Sequence, residues 1–418
     1  MSRESQPARR FGRWVAAMMA TSSKSVAHAC RVVRRQRRKP RDGFVVSAVK
    51  SGRNRAVRAV LIALSSVLLP MLAWPQADME PVSYPEVVPG YAMEFPRDEG
   101  SHPQYRTEWW YVTGWLQDDS GAPLGFQVTF FRSRPGVDEA NPSRFAAKQV
   151  LFAHAAVSDP RVGKLLRDER AAREGFGLAV ARQDNLDVSI DDWSLRKGSG
   201  NESVYHAQVA AEGFTLQLDL RATQQPLLQG QQGFSQKGPD PSSSSYYYSL
   251  PQLQASGQVA IGKQRYTVHG IAWLDHEWSS SIMDAQAQGW DWLGANLEDG
   301  GAVMAFRMRT ASGERHWAAA TWSNAAGRQT FAPAQVEWST LRRWRSPRTG
   351  IDYPVEWRVR IGEHTIRLHP LMDDQENDAR GSTGTIYWEG AVQVLDERDR
   401  ILGRGYLELT GYGKRVRL

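Results

Sequence analysis

The sequence predicts an all-β protein in which two antiparallel barrels arose by internal duplication, preceded by a leader segment. Three observations support this fold class: short alternating apolar runs separated by turn residues, a tryptophan-rich motif that occurs twice, and a second pair of related motifs near the end of each copy. Matching motifs held at a fixed spacing over several residues are the signature of a repeated structural unit.

Short apolar or alternating runs cover most of the chain after residue 107, among them 108–116, 124–132, 149–157, 214–220, 266–271, 303–308, 355–361, 365–371, 386–394 and 405–409. Turn sequences such as 119–121 and 299–301 lie between them, and residues 257–263 are typical of a hairpin. Closely spaced strands with hairpin turns favour antiparallel sheets that are stacked or closed into barrels. Helical periodicity is weak. The best candidate, residues 163–175, is predicted to be a loop or one short helix.

The repeats have two different offsets. At an offset of 181, four residues correspond, namely Trp109, Tyr111, Leu116 and Asp118 with Trp290, Trp292, Leu297 and Asp299. At an offset of 133, the matches are Ser256, Gly257, Val259, Trp273, Leu274 and Asp275 with Glu389, Gly390, Val392, Tyr406, Leu407 and Glu408. The offsets differ by 48, so the first copy contains about that many additional residues, including a Gln/Ser/Gly-rich tract at 224–245. Such a tract predicts either a solvated loop or a lid over a barrel mouth.

These patterns divide the chain into a leader at 1–78, a first barrel at 79–280 and a second barrel at 281–418. Residues 1–58 contain 16 Lys and Arg but only two acids, and the apolar run 59–74 follows them. This order is typical of a secretory signal, and the run is short for a membrane span of about 20 residues. We therefore expect an exported, periplasmic protein. The alternative is an uncleaved N-terminal segment that tethers the chain to a membrane.

Charge and cysteine content exclude several functions. The net charge is +7, but residues 1–58 carry +14 and the remainder carries −7. The barrels are therefore mildly acidic, and we expect no nucleic-acid partner. Cys30 in the leader is the one cysteine, which excludes disulfides, thiol catalysis and Cys-ligated metals from the barrels. No cluster of His and acidic residues has metal-ligand spacing, so we expect neither a metal nor a cofactor.

Acids alternate with large aromatic residues on several predicted strands. Because alternate strand residues face opposite sides, Asp275 and Glu277 share one face while His276 and Trp278 share the other. An acid pressed against aromatic surface has a raised pKa and can donate a proton, and aromatic faces stabilise a carbocation. The structural alternative is that the aromatics fill barrel cores and the acids accept their hydrogen bonds.

The segment 275–278 is the most specific cluster, because its counterpart at 408–411 keeps only the first acid. This asymmetry points to a site in the first barrel or at the seam between the barrels. The candidate catalytic residues are Asp275, His276 and Glu277. The candidate ligand-binding residues are Glu108, Trp109, Trp110, Tyr111, His154, Tyr247, Trp278, Trp290, Asp291 and Trp292.

Several motifs together resemble the AttH and hydroxyneurosporene synthase (CrtC, carotenoid 1,2-hydratase) family: Tyr84-Pro85, 95–103, 106–114, 275–278 and 289–292. The likeness extends from about residue 81 to the C-terminus. It implies two packed lipocalin-like β-barrels, with the site at Asp275, His276, Glu277, Trp278, Trp290 and Asp291. The hydratase members add water to a terminal isoprenoid double bond without a redox cofactor. Because they act on a substrate made inside the cell, the secretion signal fits the exported AttH-type branch better, whose members often accompany ABC exporters.

Three hypotheses follow. The first is an exported lipocalin-like protein that holds a hydrophobic, isoprenoid or lipid-like ligand, with an ABC transporter as a further partner. The second is a cofactor-independent hydratase in which Asp275 or Glu277 is the general acid and His276 positions a water. In that scheme Trp278, Trp290 or Trp292 shields the cation. The third is carbohydrate binding or hydrolysis, since aromatic platforms with carboxylates also fit sugars.

Overall fold

The computed structural model describes residues 82–137, 139–199 and 203–416. It is almost entirely β structure in two antiparallel sheets, which confirms the predicted fold class. Within the described ranges the helical segments are two short 3-10 turns, Arg97–Glu99 and Pro333–Gln335, and none is long and apolar enough to cross a membrane. The predicted leader lies outside the described residues.

The first sheet has thirteen strands: β1 (Thr107–Asp118), β2 (Pro123–Ser133), β3 (Val150–Ser158), β4 (Leu166–Arg173), β5 (Ala179–Ala181), β6 (Asp187–Ile190), β7 (Trp193–Lys197), β8 (Val204–Ala211), β9 (Phe214–Arg221), β10 (Leu227–Leu228), β11 (Phe234–Gln236), β12 (Ser244–Ile261) and β13 (Gln264–Ser281). Their order is β4-β3-β2-β1-β13-β12-β9-β8-β7-β6-β5, and the short β10 and β11 pair with β12. A bridge between Gly175 and Ala179 joins the two ends of this order, so the sheet is nearly closed.

The second sheet has ten strands: β14 (Gly289–Leu297), β15 (Ala302–Arg309), β16 (Arg315–Asn324), β17 (Gly327–Phe331), β18 (Val336–Arg345), β19 (Asp352–Ile361), β20 (His364–Pro370), β21 (Glu376–Ala379), β22 (Thr385–Leu395) and β23 (Ile401–Leu409). Their order is β17-β16-β15-β14-β23-β22-β20-β19-β18, and β21 pairs with β22. This is the order of the first sheet, strand for strand, except that β5, β6 and one of the two short strands on β12 have no counterpart.

Strand pairing supports the repeat that the sequence indicates. Tyr111 pairs with Asp275 across β1 and β13, and Trp292 pairs with Glu408 across β14 and β23. These two pairs are related by the offsets of 181 and 133. The matched register shows that the central strands of the two sheets are equivalent residue by residue.

The predicted match of Ser256 with Glu389 is wrong. Ser249 pairs with Asp275, whereas Glu389 pairs with Glu408, so Ser249 and Glu389 occupy equivalent positions. A register shift between Leu250 and Leu253 adds residues to β12, and a sequence comparison without strand pairing cannot place such a bulge.

The two sheets pack through equivalent surfaces. Trp115 donates from Nε1 to the Gly405 carbonyl oxygen at 2.9 Å, and Asn296 donates from Nδ2 to the Ala272 carbonyl oxygen at 3.0 Å. Position 296 is the counterpart of 115, and 405 is the counterpart of 272. Such reciprocal contacts define a two-fold interface, here between two halves of one chain. An apolar cluster fills each sheet's interior, and a third lies in this seam.

Two local predictions need correction. Most of residues 163–175 form the edge strand β4 (Leu166–Arg173) rather than a loop or helix, and the charged side chains of this strand discourage pairing with a further strand. The tract 224–245 is solvated only in part, and its Lys237 lines the cavity between the sheets. It forms β10 and β11 along β12 and buries Gln229, Lys237 and Ser245. The two-residue turn at Gly262-Lys263 confirms the predicted hairpin, with Gly262 at a positive φ of 59°.

Candidate functional site

Strand β13 presents two different chemical environments on its two faces. Trp273, Asp275 and Glu277 face the seam, whereas His276 and Trp278 face the interior of the first barrel. The alternation expected of a strand therefore separates the predicted catalytic cluster into two groups.

The interior group is a fully buried ion-pair network centred on Glu108. The Glu108 carboxylate accepts hydrogen bonds from His102 Nδ1 at 2.8 Å, His276 Nε2 at 2.9 Å and Arg132 Nε at 2.7 Å. Burial alone would raise the pKa of Glu108, but the Arg132 charge and the imidazole hydrogen bonds hold it well below its ordinary value. Trp278 stacks on His102 with ring centroids 3.8 Å apart, so an aromatic ring covers this side of the network.

Three members of this network have the donor types of a metal site. Ligand atoms of His102, Glu108 and His276 lie within 4.8 Å of one another, a proximity that residue spacing alone did not predict. Each of these atoms is already hydrogen bonded inside the network, and the Arg132 guanidinium is in direct contact with the carboxylate. A cation would have to displace these bonds beside a fixed positive charge. The geometry is therefore that of a structural ion-pair network.

The seam group surrounds a cavity of about 90 Å³ between the two sheets. Many of its wall residues are equivalent pairs from the two copies: Trp109 and Trp290, Tyr111 and Trp292, Phe131 and Met308, and Asp275 and Glu408. Tyr111 packs edge-to-face on Trp292, with ring centroids 5.2 Å apart. The duplication thus builds one shared, largely aromatic cavity from the same face of each barrel.

Asp275 lies in the wall of this cavity and is 3% exposed. Its carboxyl accepts hydrogen bonds from Ser249 Oγ at 2.5 Å, Tyr247 Oη at 2.8 Å and Trp273 Nε1 at 2.7 Å. Burial raises the pKa of Asp275 to about 7, against the opposing effect of these three donors. An acid with this pKa can donate a proton near neutral pH.

Glu408 provides a second acid on the opposite wall. It is half-buried, and Trp290 Nε1 donates to its Oε2 at 3.2 Å. Burial raises the pKa of Glu408 to about 7, and the negative charges of Glu277 and Asp275 act in the same direction. Glu389, 2% exposed, also lines the cavity, and burial together with repulsion from Glu408 raises its pKa well above its usual range. Its Oε1 has no hydrogen-bond partner among the described residues.

The fourth acid of the cavity is paired with a cation. Lys237 Nζ lies 2.8 Å from Glu277 Oε1, and Ser245 Oγ also donates to this carboxylate. Lys237 further lies over the Tyr247 and Phe306 rings, 4.6 Å and 4.3 Å from their centroids. The cavity therefore contains one ion-paired carboxylate and three acids for which the described residues offer no ion-pair partner.

The predicted site residues separate accordingly. Asp275, Glu277, Trp109, Tyr111, Trp290 and Trp292 line the cavity, with Tyr247 and His154 buried in its surrounding walls. Glu108, Trp110, His276 and Trp278 lie inside the first barrel. Asp291 lies inside the second barrel, where Arg307 Nε and Arg309 Nε are 2.6 Å and 3.0 Å from its carboxylate. This corrects the scheme in which His276 positions a water beside Asp275, since the two side chains lie on opposite faces of β13.

Sequence reasoning missed Glu408, Glu389 and Lys237. A signal for Glu408 existed, because the offset of 133 aligns it with Asp275, and a two-fold seam brings equivalent faces together. Glu389 could not be placed without the bulge in β12. Lys237 lies in the polar tract, whose composition is typical of a loop.

Comparison with known proteins agrees with this architecture. A sequence model described as AttH-like matches residues 86–412. The chain belongs to the AttH-like family. The crystal structure of an AttH protein from Nitrosomonas europaea is similar to this chain, with 49% sequence identity and a TM-score of 0.73. The alignment covers 78% of the present chain and 99% of the Nitrosomonas protein. A comparison with curated proteins found no match.

A more distant structure, kievitone hydratase from Nectria haematococca, is 14% identical and has a TM-score of 0.60. The alignment covers 80% of the AttH-like chain and 97% of the hydratase. At this identity the likeness shows the shared fold alone.

Proposed function

We propose that this chain binds a small hydrophobic molecule in the seam cavity and adds water to a carbon–carbon double bond of that molecule. The observation that carries the proposal is the pair of equivalent acids, Asp275 and Glu408, on the walls of one aromatic cavity. Neither has an ion-pair partner among the described residues, and the pKa of each is raised to about 7. The name of the distant structural relative, kievitone hydratase, is consistent with this chemistry.

In this scheme Glu408, which faces the cavity, donates its proton to the terminal carbon of the double bond. The neighbouring carbon becomes a cation, which the faces of Trp290 and Trp292 stabilise. A water molecule forms the new carbon–oxygen bond and loses a proton to a carboxylate, either Glu277 or Glu408 itself. One water is added, and no electron acceptor is needed.

The test is incubation of the purified protein with acyclic isoprenoids that carry a terminal double bond, in ¹⁸O-labelled water. We expect a product heavier by one labelled water. Glu408→Gln should lower the rate by about 10²–10⁴-fold, the usual contribution of a positioned general acid. Asp275→Asn should lower it less, because it removes a neighbouring charge that helps to raise the pKa of Glu408. Glu298→Gln, an exposed acid on the same sheet, is the matched control and should leave the rate unchanged. Equal rates in the wild type and both cavity variants would contradict the scheme.

The second candidate is ligand binding without turnover, which the predominantly aromatic lining of the cavity favours. Native mass spectrometry after mild extraction would detect a co-purifying lipid-like molecule. A retained ligand that Phe306→Ala releases, combined with no hydration of any isoprenoid, would select this candidate over the enzyme.

Export to the periplasm and association with an ABC transporter are further proposals. They are supported by the basic segment and apolar run at 1–74 and by the resemblance to exported AttH-type proteins. Fractionation followed by N-terminal sequencing tests export: a mature chain that begins after residue 74 supports it, and retention of the full chain in the cytoplasm contradicts it.

A further inference from the structure

A chain of hydrogen-bonded side chains leads from the seam cavity to the edge of the first sheet. His154 Nδ1 lies 2.8 Å from the Tyr387 hydroxyl, and His154 Nε2 lies 2.9 Å from Ser382 Oγ. Ser382 Oγ donates to Glu169 Oε2 at 2.5 Å. At the other end the Tyr387 hydroxyl also acts on the carboxyl of Glu389, which lines the cavity.

When Glu389 is protonated, one arrangement of protons satisfies every donor and acceptor in this chain. Ser382 has one hydroxyl proton and gives it to the Glu169 carboxylate, so its oxygen accepts from His154 Nε2–H. Burial lowers the pKa of His154 to about 3, so the ring is neutral and its Nδ1 accepts the Tyr387 proton. The Tyr387 oxygen is then left to accept from Asn377 Nδ2, at 3.0 Å, and from a protonated Glu389.

The two ends of the chain differ in their access to solvent. His154, Ser382 and Glu389 are buried, at 1%, 4% and 2% exposure, whereas Glu169 on the edge strand β4 is half-buried. Glu169 is held in place by the backbone N–H groups of Gly381 and Ser382 at 3.1 Å and 3.0 Å. A proton that reaches Glu169 can therefore exchange with water, while one on Glu389 is enclosed.

We propose that Glu389, Tyr387, His154, Ser382 and Glu169 form a proton path that connects the seam cavity with solvent. The proposal deepens, and for its catalytic purpose rests on, the proposed function. When Glu277 takes the proton of the attacking water, Glu408 must regain one, and Glu389, which pairs with Glu408 across β22 and β23, connects it with the path. His154, Ser382 and Glu169 act through Glu389 and are positioning residues rather than catalytic ones.

The proton count balances along the path. Glu389 passes its proton to Tyr387, Tyr387 to His154 Nδ1, His154 from Nε2 to Ser382, and Ser382 to Glu169. One proton leaves the cavity, one appears on Glu169, and the three intermediate groups end neutral; the reverse sequence returns the proton. Other titratable groups influence the pKa values along the path. The Arg167 charge helps to lower the pKa of His154. The Glu408 charge raises the pKa of Glu389, and hydrogen bonding from Tyr111 opposes that rise.

Infrared spectroscopy of the purified full chain tests the path without any substrate. The carbonyl band of protonated Glu389, identified by its loss in Glu389→Gln, should move on transfer to D₂O at a measurable rate. Ser382→Ala and Glu169→Gln interrupt the path far from the cavity and should each slow this exchange by about tenfold or more, within the range that positioned proton transfer contributes. Thr383→Val removes a neighbouring hydroxyl that is off the path and should leave the rate unchanged.

Exchange in Ser382→Ala and Glu169→Gln as fast as in the wild type would overturn the proposal, and so would the absence of a protonated Glu389 band at neutral pH. The outcome is separate from that of the hydratase test. If the path variants slow the exchange but the protein hydrates no substrate, the proton path stands and the hydratase proposal fails. If the protein hydrates a substrate but the path variants exchange as fast as the wild type, the hydratase proposal stands and the proton path fails.

Discussion

The interior of the first barrel and the seam cavity each contain a buried acid, but the pKa values of the two acids are shifted in opposite directions. Glu108 in the interior is fully buried and contacts Arg132, His102 and His276. Asp275 in the seam lies on the strand that pairs with β1, one residue away from His276, and has only neutral donors. The pKa of Glu108 is held well below its ordinary value, and that of Asp275 is raised to about 7.

The difference shows that burial alone does not decide what an acid does. A buried carboxylate that is compensated by a cation stays charged and holds the fold together, while one without a cation takes up a proton and becomes a donor. Strand alternation allows one strand to supply both environments, because successive side chains face opposite sides.

The largest effect is expected from removing the interior charge. Glu108→Gln leaves Arg132 buried without its counter-ion, and breaking a buried pair in this way costs about 3–5 kcal/mol. Glu408→Gln replaces an acid that is already about half neutral at pH 7 and has no ion-pair partner among the described residues, so its free energy of unfolding should change by less than about 1 kcal/mol. Urea unfolding at neutral pH measures both. Equal losses of stability would remove the distinction between the two regions.

A pH series separates the two regions further. A folded acid with a raised pKa holds a proton that the unfolded chain has released, so Asp275 and Glu408 should make stability fall as pH rises from about 4 to about 7, by at most about 1.4 kcal/mol per pH unit for each acid. Glu108 has the opposite sign: its contribution is complete above its ordinary pKa of 4.5 and is lost as pH falls below that value. Hydratase activity should likewise decline above about pH 7, as the general acid loses its proton.

Unfolding free energies measured at about pH 5 and pH 8 check this prediction. The double variant Asp275→Asn, Glu408→Gln should lessen the decline and leave the part that Glu389 contributes, while Glu298→Gln should leave the decline as in the wild type. An undiminished decline in the double variant would mean that other groups carry it.

Much of the fold could be predicted because its signals are local. Alternating residues such as those of β1 identify strands, and the offsets that relate Tyr111 to Trp292 and Asp275 to Glu408 identify the repeat. The edge strand β4 was missed, since a run of charged residues lacks the apolar alternation on which strand prediction depends. The residue-by-residue correspondence between β12 and its counterpart β22 was also missed, because the bulge in β12 cannot be recognised from composition.

For the site, the sequence could predict only which side chains share a face of a strand. Alternation correctly separated Asp275 and Glu277 from His276 and Trp278, but it could not show that the seam, rather than a barrel interior, encloses the cavity. That fact depends on how the two sheets pack. The partners of Glu108 likewise come from distant segments, since Arg132 and His276 lie 24 and 168 residues away.

The smallest expected effect comes from a pair of adjacent tyrosines on β12. Tyr247 faces the seam and donates to Asp275, while Tyr248 faces the interior, 3.3 Å from His276 Nδ1. Tyr248→Phe should cost about 1 kcal/mol for one lost hydrogen bond. Tyr247→Phe should cost somewhat more, because its hydroxyl also accepts from Trp292 Nε1 at 3.1 Å. Only Tyr247→Phe should raise the pKa of Asp275 further, because the phenol stabilises the carboxylate form. A ¹³C-carboxyl titration by NMR would show this as a midpoint displaced to higher pH in Tyr247→Phe and unchanged in Tyr248→Phe. If both variants displaced it equally, the two faces of the sheet would be electrostatically coupled, and the neutral state of Asp275 could not be assigned to the seam alone.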